Sequence, residues 1–68
     1  MTQATQLEWA EIRNMIELHD GQKTLAWVYL RDGELVGHVD GGPIERRADW
    51  SVEQSKQWCE QQLREATR

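Results

Sequence analysis

The chain of 68 residues lacks phenylalanine and contains one tyrosine, one proline and one cysteine. A single cysteine excludes an intramolecular disulfide and the multi-cysteine zinc motifs. Cys59 fits a reducing compartment, and we interpret it as a small buried apolar residue. No apolar run approaches the about 20 residues that cross a bilayer, and no charged-then-apolar leader opens the chain. These absences predict a cytoplasmic protein without membrane contact, metal or other cofactor.

Basic residues are also few, with 8 lysines and arginines against 12 acidic residues and a net charge of −4. They are dispersed, and only Arg46 and Arg47 are adjacent. Phosphate binding needs clustered positive charge, so this balance disfavours nucleic acid as a partner. The alternative that remains is a small nucleic-acid-binding domain that uses Arg46, Arg47, Lys23 and an exposed aromatic side chain.

Tryptophan is the residue that the chain has in excess, at Trp9, Trp27, Trp50 and Trp58. Its large apolar area suits both a small core and the anchor of a binding surface. We expect Trp9 and Trp27 to lie in the core and Trp50 to close one end of it. Trp58 falls off the apolar stripe of its predicted helix, so we expect it to contact a partner.

Residues 6–19 have the spacing of an amphipathic helix. Thr5 and Glu8 match a capping box at its start, and Gly21 suits the end of a helix. The main apolar stripe contains Trp9, Ile12 and Ile16, and a smaller opposite face contains Leu7 and Leu18.

Residues 24–30 and 34–40 predict an antiparallel hairpin around Asp32 and Gly33. Its register has two alternatives. A two-residue turn places Leu35, Gly37 and Val39 beside Ala26, Val28 and Leu30, whereas a three-residue turn with a bulge places them beside Leu25, Trp27 and Tyr29. We favour the second, because Gly37 would then leave room for the Trp27 ring. In either register the first strand is apolar on both faces, as expected of a strand that is covered on both sides.

Residues 44–50 could form a short third strand or an irregular connection. Ser51 and Gln54 repeat the capping-box spacing and predict a last helix over residues 52–66. The predicted fold is one α+β domain over residues 1–68, with the order helix, antiparallel hairpin, helix, and with both helices on one face of the sheet. The expected core contains Trp9, Ile12, Ile16, Trp27, Leu35, Val39, Val52, Cys59 and Leu63.

No group of residues has the pattern of a catalytic or metal site. Cys59 could pair with His19 or His38, but its neighbours match no nucleophile motif. His38 and Asp40 lack a recognised metal-motif spacing, and the other carboxylates are spread along predicted solvated faces. We therefore expect a protein that is not an enzyme.

Protein association is the function that the pattern favours, because a two-stranded hairpin is marginally stable by itself. A symmetric dimer with a continuous sheet, or strand addition to a partner, would cover the excess apolar surface, and we expect a homodimer. In size and acidity the chain is similar to small accessory proteins of bacteriophages and mobile elements, many of which inhibit a host protein by occluding or regulating its site. The expected partner-binding residues are Trp58, Leu7, Leu18, Val36, His38, Arg46 and Arg47.

Overall fold

A computed structural model describes residues 7–66. Within this range the chain forms five strands and then one helix. The elements are β1 (Glu8–Ile12), β2 (Met15–His19), β3 (Thr24–Arg31), β4 (Glu34–Val39), β5 (Ile44–Arg47) and α1 (Val52–Ala66). The strands lie side by side in chain order, and each neighbouring pair is antiparallel. The predicted order of helix, hairpin and helix is therefore wrong.

The helix predicted over residues 6–19 is replaced by β1 and β2, which are joined by a two-residue turn at Arg13 and Asn14. The sequence of β2 alternates apolar and polar residues from Ile16 to His19, which is the period of a strand. The apolar residues of two short strands happened to have helical spacing when residues 6–19 were treated as one continuous segment. Thr5, one half of the expected capping box, lies outside the described residues.

Asp20 begins a loop rather than the end of a helix. Its carboxylate accepts hydrogen bonds from the backbone N–H groups of Gln22 at 2.8 Å and Lys23 at 2.9 Å. These bonds, that of Lys23 first, hold the pKa of Asp20 below its usual value. Gly21 takes the positive φ of 95° that this turn requires. An Asx turn therefore reverses the chain between β2 and β3.

The hairpin of β3 and β4 has the register that we did not favour. Asp32 and Gly33 form a two-residue turn with φ of 53° and 78°, as a type I′ turn requires. Arg31 consequently pairs with Glu34, and Gly37 lies beside Val28. We expected Gly37 to leave room for the ring of Trp27, but the ring that it accommodates is that of Trp58. A Cβ on Gly37 would lie 2.8 Å from a ring carbon of Trp58, so this strand is in close contact with α1.

The C-terminal part agrees with its prediction. Residues Ile44–Arg47 form a strand, which is one of the two alternatives considered for this segment. The capping box at the start of α1 is present: the backbone N–H of Ser51 donates to Gln54 Oε1 at 2.8 Å, and that of Gln54 donates to Ser51 Oγ at 3.1 Å. Helix α1 spans Val52–Ala66 as the capping box and the apolar stripe indicated.

The core lies between α1 and the middle of the sheet, where the helix contacts β3 and β4. Its fully covered residues are Leu18, Ala26, Val28, Val39 and Cys59, and Trp9, Ile16, Leu35, Trp58 and Leu63 pack against them. Three residues expected in the core are not part of it. Ile12 and Val52 are 43% and 39% exposed, and Trp27 lies on the opposite face of β3 from Ala26 and Val28.

We predict that Gly37→Ala lowers the free energy of unfolding by about 1–3 kcal/mol, because the added methyl group overpacks the contact with Trp58. Urea unfolding followed by circular dichroism measures the change. The matched comparison introduces the same substitution into a Trp58→Leu background, where the smaller side chain should absorb the methyl group at much lower cost. An equal loss in both backgrounds would contradict the proposed contact.

Candidate functional site

One face of the sheet carries no covering element among residues 7–66. Helix α1 packs on the side of Ala26 and Val28, so the alternation of β3 places Trp27 and Tyr29 on the other side. We call this side the open face. Two rows of side chains run across it: Ala10, Glu17, Trp27, His38 and Ile44 in one row, and Ile12, Met15, Tyr29, Val36 and Arg46 in the next.

The centre of the open face is aromatic and apolar. Trp27 and Tyr29 lie on β3, the middle strand, and the Trp27 ring is 5.0 Å from that of His38 at a tilt of 50°. Val36 is only 3% exposed although α1 does not cover it, because it lies between Tyr29 and Arg46. The open face is thus already closely packed in the plane of the sheet, which gives it a continuous surface rather than isolated side chains.

Isoleucines extend this apolar surface to both edges of the sheet. Ile12 on β1 is 43% exposed and Ile44 on β5 is 59% exposed. Single exposed apolar residues are normal on soluble proteins, but Ile12, Met15, Tyr29 and Val36 are neighbours in one row across four of the five strands and form a contiguous patch. Aromatic side chains such as Trp27 and Tyr29 are enriched at the centres of protein interfaces.

Paired polar groups surround the apolar centre. Glu17 accepts a hydrogen bond from the Thr24 hydroxyl at 3.2 Å, and its carboxylate also lies 3.2 Å from His19 Nε2. Near the other end of the strands, Arg46 Nε lies 2.9 Å from a carboxylate oxygen of Glu34. These pairs hold polar side chains in place around the aromatic residues, as in the polar rim of an interface.

The structure separates the residues expected to bind a partner. Val36, His38 and Arg46 share the open face. Arg47 alternates to the helix side, where its guanidinium lies 2.8 Å from Glu45 and 5.5 Å from the centre of the Trp50 ring. The two remaining aliphatic residues differ in exposure: Leu7, which precedes β1, is 45% exposed, and Leu18 is fully buried in the core. We therefore do not include Leu18 in a contact surface.

Trp58 packs on the core instead of standing apart from it. Its ring approaches Gly37 and lies 5.7 Å from the ring of Trp50. Trp9 is also on the helix side, where its indole N–H donates to Glu60 at 2.8 Å. Trp27 is consequently the tryptophan that the sheet presents on its open face. Sequence reasoning missed its role, although the apolar character of β3 on both faces was the signal for it.

The basic residues of the nucleic-acid alternative do not form one patch. Arg46 and Arg47 lie on opposite faces of β5, and each is paired with a glutamate. Lys23 precedes β3 at the far end of the sheet, roughly 20 Å from Arg46 at the rise of an extended strand. A nucleic-acid backbone would need these charges along one track.

Cys59 lies on the helix side of the sheet, and His38 is on the other side. Its thiol is fully buried, with Sγ 3.9 Å from the carbonyl oxygen of Trp27. Burial raises the pKa of Cys59 from its usual 9.0 to about 11, so the thiol stays protonated at neutral pH. Across residues 7–66, no group of three His, Cys, Asp or Glu side chains is arranged to hold a metal ion.

In the same described range, no helix has the length and apolar content required to cross a membrane.

Comparison with known proteins returned no matching family, no matching curated protein and no matching solved structure.

We predict that the stability of the protein falls as pH rises from about 9 to 11, by up to about 1.4 kcal/mol per pH unit from Cys59 alone. In this window the thiol of the unfolded chain has ionised and the buried thiol has not, so the unfolded state binds fewer protons. Urea unfolding at several pH values measures the slope. Cys59→Ala removes this contribution and should show a shallower slope, and identical slopes would contradict the raised pKa.

Proposed function

We propose that the protein is a non-enzymatic binding module that contacts a protein partner through the open face of its sheet. The observation that supports this proposal is the character of β3. Its side chains are apolar on both faces, and among the described residues only the side of Ala26 and Val28 is covered. A second layer, supplied by another protein, would cover Trp27 and Tyr29.

The position of the aromatic residues supports the same proposal. Binding energy at protein interfaces is concentrated in central aromatic and arginine side chains surrounded by weaker contacts. Trp27 and Tyr29 occupy the middle strand of five, and Arg46 lies in the same row as Tyr29. The cross-strand packing of these side chains reduces the conformational entropy that binding would remove.

The open face is a better contact surface than the two edges of the sheet. The edge strand β5 has only four residues, follows Pro43 and carries Arg46 and Arg47. The other edge strand, β1, has five residues and carries Glu8 and Glu11. Short and charged edge strands are the common means by which proteins prevent strand addition. We therefore favour contact by the face over the extension of the sheet.

The mode of action in this proposal is occlusion, because a flat face without catalytic groups acts by covering a site on its partner. The protein would regulate or inhibit that partner by remaining bound to it. We place this activity in the cytoplasm, because the reducing conditions there keep a free thiol such as that of Cys59 reduced.

We predict that Trp27→Ser weakens partner binding by about 2 kcal/mol or more, as expected for a central tryptophan of an interface. The matched control is Leu30→Ser. Leu30 lies on the same strand but on the face that α1 covers, and it is 65% exposed, so its substitution changes an exposed apolar side chain outside the open face. Both tagged variants and the unchanged protein are used for affinity capture from the native host lysate, and their sedimentation profiles are compared.

Proteins captured by the unchanged chain and by Leu30→Ser, but lost with Trp27→Ser, would support the open face as the contact surface. Circular dichroism checks that Trp27→Ser remains folded. The proposal fails if Trp27→Ser alters neither capture nor self-association, or if Leu30→Ser alone removes them. A mobility-shift titration at two salt concentrations tests nucleic acid separately, because phosphate contacts weaken steeply as salt rises.

A further inference from the structure

Charges on and around the open face are divided between the two ends of the strands. The end that carries the β1–β2 and β3–β4 turns has an excess of positive charge, from Arg13, Arg31 and Arg46 against Asp32 and Glu34. The opposite end has an excess of negative charge, from Glu8, Glu17, Asp20 and Asp40 against Lys23. Arg46 belongs to the Tyr29 row and Glu17 to the Trp27 row, and the other side chains of these two rows are apolar or aromatic. The open face is therefore basic toward one end and acidic toward the other, with a mostly apolar surface between them.

A surface with this order of charges is complementary to itself in one orientation. Two copies can stack face to face about a two-fold axis that lies between them and runs either along the strands or across them. An axis along the strands would place basic end on basic end and acidic end on acidic end. An axis across the strands places the basic end of each copy on the acidic end of the other, and this contact occurs twice because the interface is isologous.

We propose that the partner of the open face is a second copy of this chain, stacked face to face about a two-fold axis that runs across the strands. This inference rests on the proposed function and adds the identity of the partner and the orientation of the complex. Opposite charges steer association and exclude other orientations, because like charges in contact are repulsive. Two antiparallel sheets stacked in this way form a sandwich with an apolar interior.

The axis also determines which side chains meet at the centre. If it passes between the two rows of the open face, the Trp27 row of one copy lies over the Tyr29 row of the other. Each tryptophan then faces a tyrosine, which is a favourable aromatic pairing. Toward the β1 edge, the same rotation brings Arg13 of one copy close to Glu8 of the other, since both lie at β1 on opposite ends of the face.

The size of the open face is consistent with a dimer. Five strands spaced about 4.8 Å apart, with two to four side chains of each on the open face, give a projected area of roughly 500 Å². Accessible area exceeds projected area on a surface of protruding side chains, and specific interfaces bury about 600–1,000 Å² per partner. The whole face is thus required for one standard interface, which leaves no comparable apolar area on it for a second partner.

The test exchanges the charges of one predicted contact. Neither Arg13 nor Glu8 has an ion-pair partner among residues 7–66. Arg13→Glu and Glu8→Arg, each alone, should raise the dimer dissociation constant about tenfold, because each places like charges together at two symmetric contacts. The double variant should restore most of the affinity. Sedimentation equilibrium from micromolar to millimolar protein, at low and high salt, measures the constants.

Restoration by the double variant supports the axis across the strands, and the loss caused by each single variant should shrink at high salt. Additive weakening in the double variant would overturn this orientation, as would a monomer at every concentration. These failures differ from failure of the proposed function. The protein could be a monomer that captures another protein, and Trp27→Ser could abolish that capture. This result would support the open face as a binding surface and would contradict the proposal that its partner is a second copy.

Discussion

The contact of α1 with Gly37 is the constraint on which the rest of the structure depends. The ring of Trp58 and the thiol of Cys59 both approach the place where a side chain on Gly37 would stand. The helix can lie this close only to the face of β4 that carries the glycine. That choice buries Ala26 and Val28 and, because side chains alternate along a strand, leaves Trp27 and Tyr29 on the other side.

The parts of the fold that could be predicted from the sequence are those set by local interactions. The capping box of Ser51 and Gln54 located the start of α1, and the alternating residues on either side of Asp32 and Gly33 located the hairpin. Residues 6–19 failed because two strands of five residues contain too few positions to separate a period of 2 from one of 3.6. The turn between them at Arg13 and Asn14 was not recognised from the sequence. Arg13 takes a φ of 56°, a conformation that favours glycine, so no glycine marks the turn.

The candidate site was predicted only in part, for a reason that follows from strand geometry. Val36 and His38 were assigned to an outward face, and they do lie on the open face. The register of the hairpin was assigned incorrectly by one residue, and such a slip exchanges the two faces of β3. Trp27 was therefore placed in the core, and Trp58 was taken as the exposed residue. Only the tertiary position of the helix decides between these two tryptophans.

The open face also bears on how so small a chain can remain folded. Among residues 7–66, one helix on a five-stranded sheet gives a core cluster with five buried apolar side chains. Domains of this size commonly need an additional source of stability. No disulfide supplies it, since Cys59 has no second cysteine. Association through the open face would add a second apolar layer, so binding and folding would be thermodynamically linked. The net charge of −4 would not prevent such association. Screening limits the repulsion between distant charges, and in the proposed dimer opposite charges at the two ends would lie close together. A chain that is acidic overall can thus be self-complementary through the arrangement of its charges.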